Sequence, residues 1–133
     1  MLTNYDPYVQ PDPELWLSMD ESERTYLVEE YHREAEIEVP NMMLHCAIHT
    51  TVENQIALGD EIPVERKLEQ LLGEGLDRHE AIHAIGSVLA EYIYNMLHVK
   101  KSSNEDPNEA YYKELASLTA ESWRSFYEDI EEE

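Results

Sequence analysis

Apolar residues recur every three or four positions over 77–98, the stretch with the strongest helical pattern in the chain. This spacing places them on one stripe of a 3.6-residue helix. The stripe consists of Ile82, Ile85, Leu89, Ile93 and Met96. Asp77 opens the stretch and Glu80 follows three residues later, which is the sequence pattern of a capping box. The pattern predicts a helix about 33 Å long at a rise of ~1.5 Å per residue.

The same periodicity predicts further helices, which proline and glycine residues separate. The predicted helices run over 20–37, 41–58, 63–72, 77–98 and 108–130, the last in two pieces that meet near Thr119. Asp20 and Glu23 form a second capping pair, Gly59 is predicted to close the helix over 41–58, and Pro107 stands at the start of the last helix. A single helical turn is predicted over 14–19. Prolines within 1–13 indicate an extended arm, because proline fixes φ and lacks a backbone donor.

No segment shows the alternation of apolar and polar residues that marks a half-buried strand. We therefore predict an all-α fold, a compact bundle of five or six helices with an extended N-terminal arm. The length of 133 residues fits one domain, 1–133, with a core of its own. The segment 100–107 is predicted to be a polar connector. The tail 131–133 is expected to fray, because like charges at a helix C-terminus oppose the helix dipole.

The chain is strongly acidic, with 30 acidic against 9 basic residues and a formal net charge of −21. Such a surface repels phosphate backbones and anionic membranes, so we expect neither direct nucleic-acid binding nor membrane binding. Attraction of a basic protein partner and mimicry of a nucleic acid both remain open. A well-solvated surface explains the same charge without any partner.

The sequence indicates a cytoplasmic protein. Its N-terminus has neither the basic region nor the apolar region of a secretory signal, and no apolar run reaches the ~20 residues of a membrane span. Cys46 is the only cysteine, so the chain can form no internal disulfide. A reducing compartment is the simplest setting, and we expect Cys46 to be a small buried thiol.

Four of the six histidines form two pairs with i, i+4 spacing, His45 with His49 and His79 with His83. Residues four apart share one helical face, so each pair can offer two imidazoles to one ion. Glu53 extends the first pair by another turn. Imidazole nitrogen with at most one carboxylate suits a transition metal, with zinc the first choice and iron or nickel next.

A helical wheel places both pairs on the flank of an apolar stripe, where a partly shielded site could form. For the first pair this stripe is Leu44, Ile48, Val52 and Ile56. The two pairs could meet within one chain or across a homodimer, and sequence leaves both arrangements open. His32 and His98 have no partner at ligand spacing and are predicted to be surface residues. The alternative to a metal site is that the paired histidines bond to backbone or carboxylate groups.

A zinc peptidase is a further alternative, since His79-Glu80-x-x-His83 matches the zincin pattern. In such an enzyme Glu80 would be the catalytic residue that activates water. Leu89 stands where a metzincin would have its third ligand. Glu80 also falls toward solvent on the wheel, and its capping role explains it without catalysis, so the peptidase reading is not favoured.

Three motifs surround the paired histidines: L-H-x-x-I-H-x-x-V-E-x-Q over 44–55, R-H-E-A-I-H-x-x-G over 78–86 and L-x-E over 89–91. In these motifs the chain resembles the bacterial domain of unknown function 1841 family, whose members show paired histidines in a similar order. The resemblance covers roughly residues 40–95. It implies a bacterial protein with no assigned activity, and a candidate site made of His45, His49, Glu53, His79 and His83.

Overall fold

The computed structural model describes residues 2–98 and 107–125, and this part of the chain is all-α, as predicted. The α-helices are α1 (Pro13–Ser18), α2 (Glu21–Glu34), α3 (Met42–Ala57), α4 (Val64–Gly73), α5 (Arg78–His98) and α6 (Pro107–Ser117). A 3-10 turn, Gly59–Glu61, follows α3. A further helical stretch covers 120–125, so the predicted break near Thr119 is confirmed.

Some predictions fall on parts of the chain outside the described residues. These are the polar connector, apart from Pro107 at the start of α6, and the frayed tail at 131–133. Among the helices of the described ranges, none has the length and apolar character of a membrane-spanning segment.

Side-chain caps fix two of the helix starts that the sequence predicts. Asn41 accepts a hydrogen bond from the backbone N–H of Leu44 at 3.1 Å, and Asp77 accepts one from that of Glu80 at 2.8 Å. Each satisfies a first-turn donor that has no partner within the helix. Asp20 differs, because its side chain makes no capping hydrogen bond. The predicted side-chain cap there is wrong, although the helix still begins at the next residue.

Left-handed backbone marks the end of α3. Gly59, the predicted terminator of this helix, has φ of +62°. Glycine adopts this conformation without the steric cost that a Cβ imposes. The prediction that Gly59 closes the helix is confirmed, and the 3-10 turn begins at this residue.

Contacts between residues divide the chain into an N-terminal unit, Met1–Glu65, and a C-terminal unit, Arg66–Glu133. In the N-terminal unit, α1 and α2 both pack against α3. The core of this unit consists of Tyr5, Trp16, Met19, Leu27, Val28 and Cys46. Residues 2–12 form no helix, as predicted for the arm, yet Tyr5 within them is buried. The arm is therefore part of the packed structure of this unit.

The buried face of α3 is rotated from the predicted stripe. Leu44 is 56% exposed and Ile48 is only partly buried, while Val52 and Ile56 are buried as expected. The other buried positions of α3 are Cys46, His49, Thr50 and Glu53. The prediction was wrong at Leu44 because it assigned burial by apolarity alone. Polar side chains occupy this interface, where they bond to one another.

In the C-terminal unit, α5 packs against α6. Ile82, Ile85 and Leu89 are buried as the stripe on α5 predicts, whereas Met96 near its end is 42% exposed. The other buried apolar residues of this unit are Leu68, Leu71, Leu76, Ala81, Ala84, Tyr111, Leu115, Leu118 and Ala120. The apolar periodicity of α5 therefore identifies the core for its first three turns.

Two polar residues in and just after α4 bind the chain where α6 ends and the next helical stretch begins. Lys67 donates to the carbonyl oxygens of Ala116 at 3.3 Å and Leu118 at 2.9 Å. Glu74 accepts a hydrogen bond from the backbone N–H of Ala120 at 2.8 Å. Both contacts satisfy backbone groups that helix ends leave without an intrahelical partner.

Glu74 gives this capping contact a pH dependence. The backbone N–H of Ala120, and then the amide of Gln70, hold the pKa of Glu74 below its usual value of 4.5. A lowered folded-state pKa means that the carboxylate stabilises the fold above pH 4.5, and that this contribution is lost as pH falls through the folded pKa. We expect Glu74→Gln, which is neutral at every pH, to be less stable than wild type at pH 7. The difference should shrink in acid.

Urea unfolding between pH 7 and pH 3 measures this effect. The control is Glu69→Gln, which changes an exposed glutamate on α4. Its stability should differ little from that of wild type at any pH. If the difference between wild type and Glu74→Gln stayed constant down to pH 3, the proposed role of the carboxylate would be wrong.

Candidate metal centre

Three histidines lie together in the N-terminal unit, and we call them the histidine cluster. His32 comes from α2, and His45 and His49 come from α3. The ring centroid of His32 is 4.8 Å from that of His45 and 5.3 Å from that of His49. His32 and His49 are 0% and 2% exposed, while His45 is half-buried. One ring nitrogen of His32 lies within 4.8 Å of one of His49.

The prediction that His32 is a surface residue is wrong. Sequence spacing finds ligand pairs on one helix, whereas His32 meets its partners across the contact between α2 and α3. The sequence did hold a weaker signal, since His32 follows the apolar Val28 by four residues and so shares its helical face. The structure buries both residues. His98 is exposed, as predicted.

Hydrogen bonds define which nitrogen of His32 faces the cluster. Its Nδ1 lies 2.8 Å from the carbonyl oxygen of Val28, which can only accept, so Nδ1 carries the proton and donates. Nε2 then bears the lone pair. The Nε2 of His45 lies 3.1 Å from it and donates to it. For comparison, two nitrogens bound to a tetrahedral zinc at ~2.0–2.1 Å lie about 3.3 Å apart.

The electrostatics of the cluster favour neutral nitrogen donors. Burial, and then the neighbouring His32, hold the pKa of His45 below its usual value. Cys46 lies beside them, and burial, then Glu29, raises the pKa of its thiol to about 11. A protonated thiol is a poor metal ligand, since metals bind the thiolate. Cys46 is fully buried, so the predicted buried thiol is confirmed, and imidazole is the available donor.

Tyr5 connects His49 to Glu53. The Tyr5 hydroxyl donates a short hydrogen bond to Oε2 of Glu53 and lies 2.7 Å from Nε2 of His49. Glu53 is 2% exposed and follows His49 by one turn, so the two predicted residues lie side by side. Tyr5 was not identified from the sequence. It lies in the non-helical arm, where no periodicity marks a buried position.

The second predicted pair lies on α5 in the C-terminal unit. The ring centroids of His79 and His83 are 4.3 Å apart, and one ring nitrogen of each lies within 4.8 Å of the other. His79 is buried and His83 is partly buried. Glu80 between them is exposed, and its Oε1 accepts a hydrogen bond at 3.2 Å from the indole of Trp123. The exposure of Glu80 agrees with the helical wheel, which places this residue toward solvent.

Comparison with known proteins gives one family. The family model described as "Domain of unknown function (DUF1841)" matches residues 3–117. No curated protein and no solved structure matches the chain significantly. The matched range includes Tyr5, the histidine cluster, Glu53 and the pair on α5.

Proposed function

The chain belongs to the DUF1841 family, a domain of unknown function, and on this premise we propose that it binds a transition-metal ion through its histidines. Zinc is the first candidate, with iron and nickel next. The observation that carries the proposal is the histidine cluster between α2 and α3, in which His32 and His49 are almost fully buried. Calcium and magnesium fit poorly, because they prefer oxygen ligands.

The energetics of burial support a bound ion. A buried polar group costs free energy unless a partner compensates the water that it loses. In the metal-free chain His45 meets this need by donating its Nε2 proton to Nε2 of His32. If that proton moves to Nδ1 of His45, one ion can satisfy both lone pairs, since the two nitrogens lie 3.1 Å apart, close to the separation of two zinc ligands. The lowered pKa of His45 keeps that ring neutral, the form in which imidazole binds metal.

The proposed ligands are the three imidazoles of the histidine cluster, His32, His45 and His49. Three histidines are an established ligand set for zinc. Glu53, also predicted as a ligand, has a supporting place in this proposal, because it accepts a hydrogen bond from Tyr5. His79 and His83 lie on α5 in the C-terminal unit and stay a separate predicted pair.

The proposed role of the ion is to stabilise the fold. An ion that binds the folded chain and not the unfolded one adds its binding free energy to stability. A hydrolytic site would instead need an open coordination position for water. Three imidazoles leave one position of a tetrahedral zinc for water, but His32 and His49 are almost fully buried, which favours a structural role over hydrolysis.

Metal content per chain tests the proposal. The protein is purified without a metal-affinity column and measured by elemental analysis as wild type, as His45→Ala/His49→Ala and as His98→Ala. We expect about one equivalent of zinc, iron or nickel in the wild type, because a mononuclear site holds one ion. The double variant should lose it. His98→Ala should keep it, because that histidine is exposed and lies outside both groups.

The single variants His49→Ala and His83→Ala then assign the ligands. Retention of the metal in His49→Ala would remove that histidine from the proposed ligand set. Loss in His49→Ala alone would assign the ion to the histidine cluster. A wild type that holds no metal and does not bind added zinc would refute the proposal.

A further inference from the structure

We propose that Tyr5 and Glu53 are positioning residues that fix the tautomer of His49, so that His49 binds metal through Nδ1. This inference rests on the proposed metal site and deepens it. It concerns hydrogen bonds behind a ligand, which commonly set the orientation and basicity of a metal-binding imidazole.

The single proton of the Tyr5 hydroxyl determines the tautomer of His49. A phenol has one proton, and Tyr5 donates it to the carboxylate of Glu53. The Tyr5 oxygen lies 2.7 Å from Nε2 of His49, and in that contact it can only accept. Nε2 of His49 therefore carries a proton and donates it to Tyr5. In a neutral imidazole the other nitrogen, Nδ1, then bears the lone pair that a metal requires.

The three groups are held firmly. Tyr5, His49 and Glu53 are 6%, 2% and 2% exposed. The ring of Tyr5 packs edge-on against His49, with centroids 5.4 Å apart and planes at 81°. It also contacts Trp16 at 5.7 Å between centroids. The phenol oxygen is thus fixed beside Nε2 by packing as well as by hydrogen bonds.

The hydrogen bonds from His49 to Tyr5 and from Tyr5 to Glu53 also change the strength of His49 as a metal ligand. The carboxylate of Glu53 polarises the phenol, and the phenol oxygen accepts from Nε2, which increases the electron density at Nδ1. His32 is arranged in the opposite sense, because its Nδ1 donates to the carbonyl of Val28. The two buried histidines therefore offer different nitrogens, Nε2 from His32 and Nδ1 from His49.

The tautomer is measurable without metal. Long-range proton–nitrogen NMR on zinc-depleted protein distinguishes the protonated ring nitrogen from the unprotonated one, and a His49→Ala sample assigns the signal. We expect Nε2 of His49 to be protonated in the wild type. Tyr5→Phe should give a mixture of tautomers, because it removes the acceptor but keeps the ring packing. Tyr8→Phe is the matched control, since Tyr8 lies on the same arm and is 54% exposed.

Zinc affinity tests the consequence. Tyr5→Phe should weaken zinc binding about 10–100-fold, the usual cost of losing such a partner, while Tyr8→Phe should bind as the wild type does. Glu53→Gln keeps an oxygen acceptor for Tyr5 and loses the charge, so its loss should be smaller than that of Tyr5→Phe. Circular dichroism confirms that each variant is folded.

The outcomes separate this inference from the proposed function. A wild type that binds zinc but carries its proton on Nδ1 of His49 would overturn the inference alone. So would a folded Tyr5→Phe variant with unchanged zinc affinity. A wild type that binds no zinc would refute the metal site itself, and the positioning role with it.

Discussion

Removal of zinc with a chelator should lower the melting temperature of the wild type by about 10 °C, and added zinc should restore it. Ligand linkage gives the size of the effect. At free zinc 100-fold above its dissociation constant, the ion adds about 2.7 kcal/mol to the free energy of unfolding. For a chain of 133 residues, each kcal/mol shifts the midpoint by roughly 3–5 °C. Calorimetry with and without chelator measures the shift.

His32→Ala is the most informative variant in this experiment. The spacing of His32 from the other histidines in the sequence gives no reason to expect that it is a ligand, so only the structure predicts this effect. We expect it to lose most of the zinc-dependent shift. The quantity to compare is that shift and not the absolute midpoint, since removal of a buried ring lowers stability by itself. His98→Ala should respond to zinc as the wild type does. A full zinc response in His32→Ala would remove His32 from the proposed ligand set.

Trp16→Ala should lower the free energy of unfolding by about 3–5 kcal/mol, the usual cost of emptying a buried tryptophan site. Trp16 is 1% exposed, and its indole N–H donates to the side-chain oxygen of Asn54 at 2.8 Å. The ring also packs against Tyr5, so its loss leaves a cavity where the arm meets α1 and α3. Urea unfolding followed by circular dichroism measures the change.

Leu17→Ala is the matched control for Trp16→Ala, because Leu17 is the next residue of α1 and is 40% exposed. Its stability should change by about 0.5 kcal/mol or less, as for most surface substitutions. Equal losses in the two variants would mean that α1 unfolds as a whole and that Trp16 does not anchor it.

Sequence periodicity predicted the helices well because capping and apolar spacing are local. The helix expected over 77–98 runs from Arg78 to His98, with Asp77 as its cap. Gly59 and Pro107 mark helix boundaries where the pattern placed them. These features depend on residues within one turn of each other, so one sequence contains the necessary information.

The parts of the site that the sequence missed depend on contacts between distant segments. Tyr5 meets Glu53 across 48 positions, and His32 meets His45 across 13. No spacing rule relates such positions. The prediction for Leu44 fails in the opposite way: this apolar residue was expected to be buried and is exposed. The interface of α3 instead buries His49 and Glu53, whose polar atoms bond to Tyr5.

The arm that carries Tyr5 also has a kinetic consequence. Residues 2–11 lie outside every helix and end before Asp12, the cap of α1, so lifting them away breaks side-chain contacts and turns but no helical hydrogen bond. Local opening of such a segment costs less free energy than global unfolding. Detachment of the arm withdraws the phenol from His49 while α2 and α3 stay paired. Solvent can therefore reach this buried imidazole without global unfolding, and amide exchange in the arm should be faster than in α3.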